Sequence, residues 1–386
     1  MPGESSRGAP LIGILGAEGA VGGAVARALA GTDGTTPGLD ARLRLGTRRP
    51  EAVPRLGRWF PGRAEAVCAD VRDDASLAGF CAGCRVVINC AAPDAQHRSR
   101  AAAAVLRAGA DYLDPGGGDA LRGQLEGLAA GRTAVLGAGV HPGLSALIPR
   151  WLAAQGLGFP LVLTSYIGTR DRMTRASATE FLLSLTEGHG EAHAMWRAGA
   201  RHSHALEPLH ETDLPFFPPA VLAYPYLTFE AERLARQLGL DEARCYYVFE
   251  SSGKILTVLS RLGGRLLADA DVDTLVDELI QAADIEMFAR KPAQQLVFQL
   301  DGEQSGQRAS RVAVLRASNT YELTATVLTL VVTEILAGTL PGGASFAAET
   351  LDPRVVTRLE GMPGVIGMHV LDRPLRAYAH VDQGVV

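Results

Sequence analysis

The chain has 386 residues, more than one hydrophobic core comfortably serves, so two domains are expected. Hydrophobic residues make up 47% and charged residues 20%, a globular balance that excludes disordered and fibrous classes. A net charge of −5 gives no general pull toward nucleic acid or an anionic membrane, so neither is expected as a partner.

The opening residues, MPGESSRGAP, are polar and hold no apolar signal core, which points to a cytoplasmic protein. Residues 11–17, LIGILGA, form an apolar run ending in glycine, and 22–30 follow as a helix. Residues 41–46 alternate with period two and read as a second strand. A further short strand is expected to end at Ala69-Asp70-Val71. Cys81 and Cys84 form a lone CxxC abutting the next strand and read as small core fillers, not a redox or zinc pair. With Cys68, Cys90 and Cys245 they make an odd number, which suits free thiols in a reducing compartment. Residues 85–93 are a continuous apolar strand closed by Pro93. A helix over 98–109, a strand over 110–114, a helix over 121–131 and a strand over 133–139 complete the first third. Apolar strands separated by helices predict a parallel, doubly wound sheet.

The middle of the chain differs. Strands are expected over 161–168, 294–304 and 310–318, and helices over 177–200, 229–240 and 272–290. Residues 207–225 are rich in proline and aromatics. This mixture suits an α+β domain for substrate binding and dimerisation. The apolar stretch 321–340 carries Glu322, Glu334 and several threonines, so it reads as a buried helix and not as a membrane span. The expected division is 1–142, 143–320, and a C-terminal segment 321–386 whose helix returns to pack on the first domain.

The strongest motif is Gly13-Ile-Leu-Gly16-Ala-Glu-Gly19-Ala-Val-Gly22, between a strand and a helix. Glycines there permit a tight turn and close approach to a pyrophosphate, and the helix start binds its charge. The first domain is therefore read as a Rossmann domain, with Gly16, Glu18, Gly19, Ala20 and Val21 forming the cofactor loop. An NAD site usually carries an acidic residue at the end of the second strand, to hold the ribose 2′-OH. Here the strand ends Thr47-Arg48-Arg49, which suits the 2′-phosphate of NADPH and offers no carboxylate. Asp70 and Val71 are placed beside the adenine. Cys90, Ala91, Ala92 and Pro93, with Gly139 further on, leave room for ribose and nicotinamide.

On the motifs GILGAEGAVG, VVINCAAP, AGADYLDPGGG and LGAGVHPGLSALIPR, the chain resembles the saccharopine dehydrogenase-like reductases. The likeness continues in TSYIGT (164–169), ATEFLLSLTEG (178–188) and YPYLTFEAE (224–232). The resemblance implies NAD(P)H-dependent reduction or formation of C=N bonds in amino-acid-like substrates, by a homodimer. His141 stands where many relatives have an acidic residue. A branch of this fold reduces thiazolinyl imines on carrier proteins during siderophore assembly by nonribosomal peptide synthetases, and the resemblance leans toward it. The alternatives are a saccharopine-type amino-acid dehydrogenase and a non-catalytic NADPH-binding sensor.

Imine reduction needs a hydride at carbon and a proton at nitrogen. His141, just past the sixth strand, is the first proton-donor candidate, since its class titrates near neutrality. His97 and Asp94 follow Pro93 and are expected to line the same crevice. Tyr166 and Tyr224 are further donors. Arg170 and Arg172, near Arg175, are candidates for a substrate carboxylate or a carrier's phosphopantetheine. His189, His193, His202, His204 and His210 cluster, and His189 and His193 have the spacing of one helix face. No thiolate lies nearby, so no metal is expected.

Overall fold

In the computed structural model, residues 8–32, 38–91, 94–186, 189–250, 253–266 and 272–378 are described. In chain order the elements are β1 Leu11–Leu15, α1 Ala20–Ala30, β2 Arg42–Thr47, α2 Val53–Leu56, β3 Ala64–Cys68, α3 Asp74–Cys81, β4 Val86–Asn89, α4 Ala95–Arg107, β5 Asp111–Leu113, α5 Asp119–Leu125 and β6 Thr133–Leu136. They continue with α6 Leu144–Ala153, β7 Gly158–Arg170, α7 Arg175–Thr186, β8 Gly190–Ala192, β9 Met195–Arg197, β10 Ala200–His202, β11 Leu209–Thr212, β12 Val221–Thr228, α8 Phe229–Leu238 and β13 Glu242–Glu250. The last are α9 Lys254–Leu266, α10 Val272–Glu286, β14 Ala293–Gln304, β15 Gln307–Ala317, α11 Thr320–Ala337, β16 Gly343–Phe346, α12 Ala347–Thr350 and β17 Val365–Leu371.

The chain forms two compact units, Met1–Leu144 with Tyr321–Asp352, and Ser145–Thr320 with Pro353–Val386. The range 321–386, read above as one segment, is shared between them. The first unit holds a seven-stranded parallel sheet in the order β16-β6-β5-β4-β1-β2-β3. Its central strands are buried on both faces: every residue of β4 is enclosed, as is all of β1 past Leu11. This is why they read as continuous apolar runs. The order reverses between β1 and β4, so the loops after these neighbours diverge and leave a crevice at their carboxyl ends. The sheet is a Rossmann sheet, doubly wound as expected. Cys81 and Cys84 are buried in its core beside Phe80. Burial pushes the Cys81 thiol up to about 12. In α11, the apolar helix, Leu323 through Val332 are enclosed within the fold. It has the length and apolarity of a membrane span, and 61% of it is buried.

The second unit carries a ten-stranded mixed sheet with the path β10-β9-β13-β7-β14-β15-β17; β12 pairs with β13, β11 and β8. β12 alternates buried and half-buried residues along its whole length, the pattern of a strand with one packed face. One expectation needs correction, and three elements were not expected. The helix predicted over 177–200 stops at Thr186, and β8 pairs antiparallel with β12. β12 and β13, where Pro225 and clustered aromatics hid the pattern, are strands. α9 was unpredicted because Gly263 and Gly264 argue against a helix; its Ile255, Val258 and Leu259 pack on α7 and α10.

Candidate active site

The glycine motif closes the end of β1. Gly16 has φ 74°, and a Cβ there would lie 2.7 Å from the Cys90 carbonyl oxygen. A Cβ at Gly22 would lie 2.3 Å from the Gly16 carbonyl oxygen. Glycine alone allows this approach of loop, β4 end and helix. Gly19 is the extended N-cap of the 11-residue α1 and supplies no side-chain cap. The first helical bond runs from the Gly23 amide to the Gly19 carbonyl. The amides of Ala20, Val21 and Gly22 therefore have no acceptor within the helix. With the helix dipole behind them, they fit a pyrophosphate.

At the end of β2 the structure differs from the expectation. The strand end itself, Leu45-Gly46-Thr47-Arg48-Arg49, carries no carboxylate. The glycine loop supplies one. The buried Thr47 hydroxyl donates to Glu18, as do Arg49 (Nε 3.2 Å, Nη2 3.0 Å) and Arg55 (Nη2 2.5 Å). Partial burial works to raise the Glu18 carboxyl, but these three donors outweigh it and hold it below its usual range. Arg48 is exposed at the strand end. Asp70, beyond β3, is held near 2 by its bonds to Arg72. Val71 packs against the core of this unit.

Across the crevice, α4 starts at Asp94, whose Oδ1 accepts the His97 amide at 3.0 Å as an N-cap. Its Oδ2 lies 2.6 Å from His97 Nδ1. The His97 side chain is 30% exposed. Behind this turn is a buried polar network that the sequence reading missed. Asp114, after β5, accepts from Tyr112 Oη (2.5 Å), Asn89 Nδ2 (2.8 Å), Arg98 Nε (3.1 Å) and the Gly116 amide (2.8 Å). Burial and the Asp114 charge raise the Tyr112 hydroxyl well above its usual range. Asp114 is fully enclosed, and its partner Arg98 follows His97 on α4. The network thus ties the first turn of α4 to the ends of β4 and β5. The available signal was a charged residue closing an apolar strand in YLD before Pro-Gly-Gly. Ala92 and Pro93 lie outside the described residues.

His141 sits in the turn after β6, joined to β5 by bonds from Gly137 to Gly116 and from Ala138 to Asp114. Gly139 bonds to Pro142 and pairs with Gly143. The His141 ring is half-buried with Nε2 enclosed, and burial pushes it down to about 4. It is a neutral imidazole at pH 7.

The second unit separates the remaining candidates. Tyr166 pairs in register with Tyr246, and Tyr224 with Tyr247. Adjacent residues of β13 point to opposite faces, so Tyr166 and Tyr224 lie on opposite faces of the sheet. Half-buried Tyr166 stacks on Tyr246 at 5.2 Å against the core, and burial pushes its hydroxyl up to about 12. Tyr224 donates to His193 Nε2 at 3.1 Å, since His193 Nδ1 faces the Leu206 carbonyl. Arg170 is committed to Glu250 at 3.0 Å and to the Lys291 carbonyl. Arg172 is exposed and pairs with Asp284. His189 and His193 flank β8 and share no helix face. Among the described residues no three His, Cys, Asp or Glu side chains are grouped to hold a metal.

No family model matches the chain, and no curated protein matches it significantly. Apo saccharopine dehydrogenase (L-Glu forming) from Saccharomyces cerevisiae is similar in structure, with a TM-score of 0.62 and 14% identity over 94% of this chain and 100% of that one. DAP dehydrogenase of C. glutamicum in complex with DAP has a TM-score of 0.49 and 14% identity, over 92% of this chain and 99% of that one. At such identities the likeness to the yeast enzyme is one of fold. It places the chain with proteins that combine a Rossmann sheet and a mixed sheet.

Proposed function

We propose that the chain is an NADPH-dependent oxidoreductase that reduces a C=N carbon. The observation that carries this reading is the approach of Gly16 and Gly22 at the switch point of the sheet, with the start of α1 open to a pyrophosphate. Two guanidiniums, Arg49 and Arg55, close on one carboxylate at the end of β2, with Arg48 exposed beside them in sequence, and that surplus of positive charge suits a 2′-phosphate. Cys90, Ala91 and Gly139 would border the ribose and nicotinamide. A bound reduced nicotinamide supplies the hydride. The protein supplies the proton. His97 is the donor favoured here: Asp94 engages Nδ1 and orients the ring, which leaves Nε2 to give the imine nitrogen its proton. His141 presents a neutral ring and Tyr166 a hydroxyl pushed up by burial, so both suit this task less.

The motif resemblance supports a cyclic imine of the thiazoline type, carried on a protein of nonribosomal peptide assembly, as substrate, and a cytoplasmic homodimer as the working form. On this reading exposed Arg172 exchanges its Asp284 partner for a carrier's phosphopantetheine, and Tyr224, bonded to His193, meets the substrate. A saccharopine-type amino-acid dehydrogenase is the second reading, favoured by the likeness to the yeast enzyme over nearly the whole chain. NADPH oxidation measured against thiazolines, other cyclic imines, and 2-oxo acids with amines separates the two. Turnover of the imines supports the first, turnover only of 2-oxo acids with amines the second. NADPH binding without any turnover leaves a sensor.

A further inference from the structure

Glu18 occupies an unusual place for a carboxylate. It lies between Gly16 and Gly19, in the loop that should receive a pyrophosphate, yet its side chain turns away to the end of β2. Only 9% of that side chain is exposed, while Arg49 and Arg55, which close on it, are 58% and 62% exposed. Two arginines with solvent around them converge instead on one anion. A guanidinium binds carboxylate and phosphate oxygens through the same fork of N–H donors. The place where this clamp closes, at the last residue of β2, is where a Rossmann fold holds the adenosine ribose. Glu18 therefore keeps the clamp assembled around an anion of the protein's own.

We infer that Glu18 is a specificity-determining residue, an internal stand-in for the ribose 2′-phosphate that must yield Arg49 and Arg55 to the cofactor, and that Arg55 completes the phosphate clamp. The inference rests on the NADPH reading above. A dianionic phosphate attracts two guanidiniums more strongly than a carboxylate does and repels Glu18, so the two anions exchange places. A nucleotide with a bare 2′-hydroxyl carries no charge to displace it. Glu18 thus lowers affinity for the phosphorylated ribose while leaving the plain ribose nearly untouched.

The test uses the full chain and probes that lack nicotinamide: adenosine 2′,5′-bisphosphate and AMP, titrated calorimetrically. Glu18→Gln keeps the size and can still accept from Thr47, but removes the charge. It should bind the bisphosphate about tenfold tighter, the size of one charge-assisted contact, with AMP changed less than about twofold. Arg55→Ala should weaken the bisphosphate by about tenfold and spare AMP. Circular dichroism of both variants confirms folding. If Glu18→Gln leaves bisphosphate affinity unchanged or weakens it while the wild type still prefers the bisphosphate, the inference fails and the NADPH reading stands. If Glu18→Gln weakens AMP binding instead, Glu18 holds a ribose hydroxyl and the inference fails. Equal wild-type affinity for the two probes overturns the NADPH reading and the inference together.

Discussion

Asp94 Oδ2 stands 2.6 Å from His97 Nδ1 while Oδ1 of the same carboxylate caps the helix that carries the ring. One side chain thus starts α4 and aims its first histidine. The pair can be separated by substitution. His97→Asn should lower turnover by about 10²–10⁴-fold, the usual worth of general acid catalysis, with NADPH affinity unchanged. Asp94→Asn keeps the cap, so it should lower turnover without loss of stability, whereas Asp94→Ala should also lower stability by about 1 kcal/mol. Wild-type turnover in His97→Asn would place the donor elsewhere.

The glycine loop makes a second prediction. A methyl at residue 22 would meet the Gly16 carbonyl oxygen at 2.3 Å, and backbone cannot yield as a flexible side chain does. Gly22→Ala should lower both melting temperature and NADPH affinity, the latter by at least about tenfold. Retained affinity with retained stability would mean that the loop is not the pyrophosphate site.

Asp114 is a structural commitment. It accepts four hydrogen bonds, one from the guanidinium of Arg98, with no exposed surface. Asp114→Ala should destabilise the protein by about 3–5 kcal/mol in urea unfolding, because the donors that converge there lose their acceptor. A change under about 1 kcal/mol would show that the network contributes little.

His141 predicts a pH dependence of stability. Its folded value, about 4, lies below the ordinary 6.5, so between these values the unfolded chain binds the proton and the folded one does not. The associated stability is complete above pH 6.5 and is lost as pH falls toward 4, by at most about 3 kcal/mol. Urea unfolding of wild type and His141→Asn at pH 7.5 and 4.5 reads this difference. The wild type should lose more stability than the variant; equal losses would mean that His141 titrates normally.

The Rossmann sheet was legible because strands buried on both faces leave uninterrupted apolar runs such as VVIN, and because Gly16, Gly19 and Gly22 mark a turn that few other backbones need. The site was legible only where one local segment carries it. Glu18 stood in the quoted motif, but its meeting with Arg49 and Arg55 joins a loop, a strand end and α2, a contact across 31 and 37 residues of chain. The Asp114 network likewise joins two strand ends and a helix. In the mixed sheet, Tyr166 and Tyr224 looked equivalent as donors. Their faces depend on β13, a strand that was not predicted, so their separation could not be read.

The central claim is hydride delivery to a C=N carbon, and NADPH deuterated at C4 of the nicotinamide, on the transferred face, tests it most directly. Incubated with a panel of thiazolines and other cyclic imines, the protein should yield a saturated amine with one deuterium at the former imine carbon, identified by NMR and mass spectrometry. NADPH that binds the protein but transfers deuterium to none of these carbons would contradict the account.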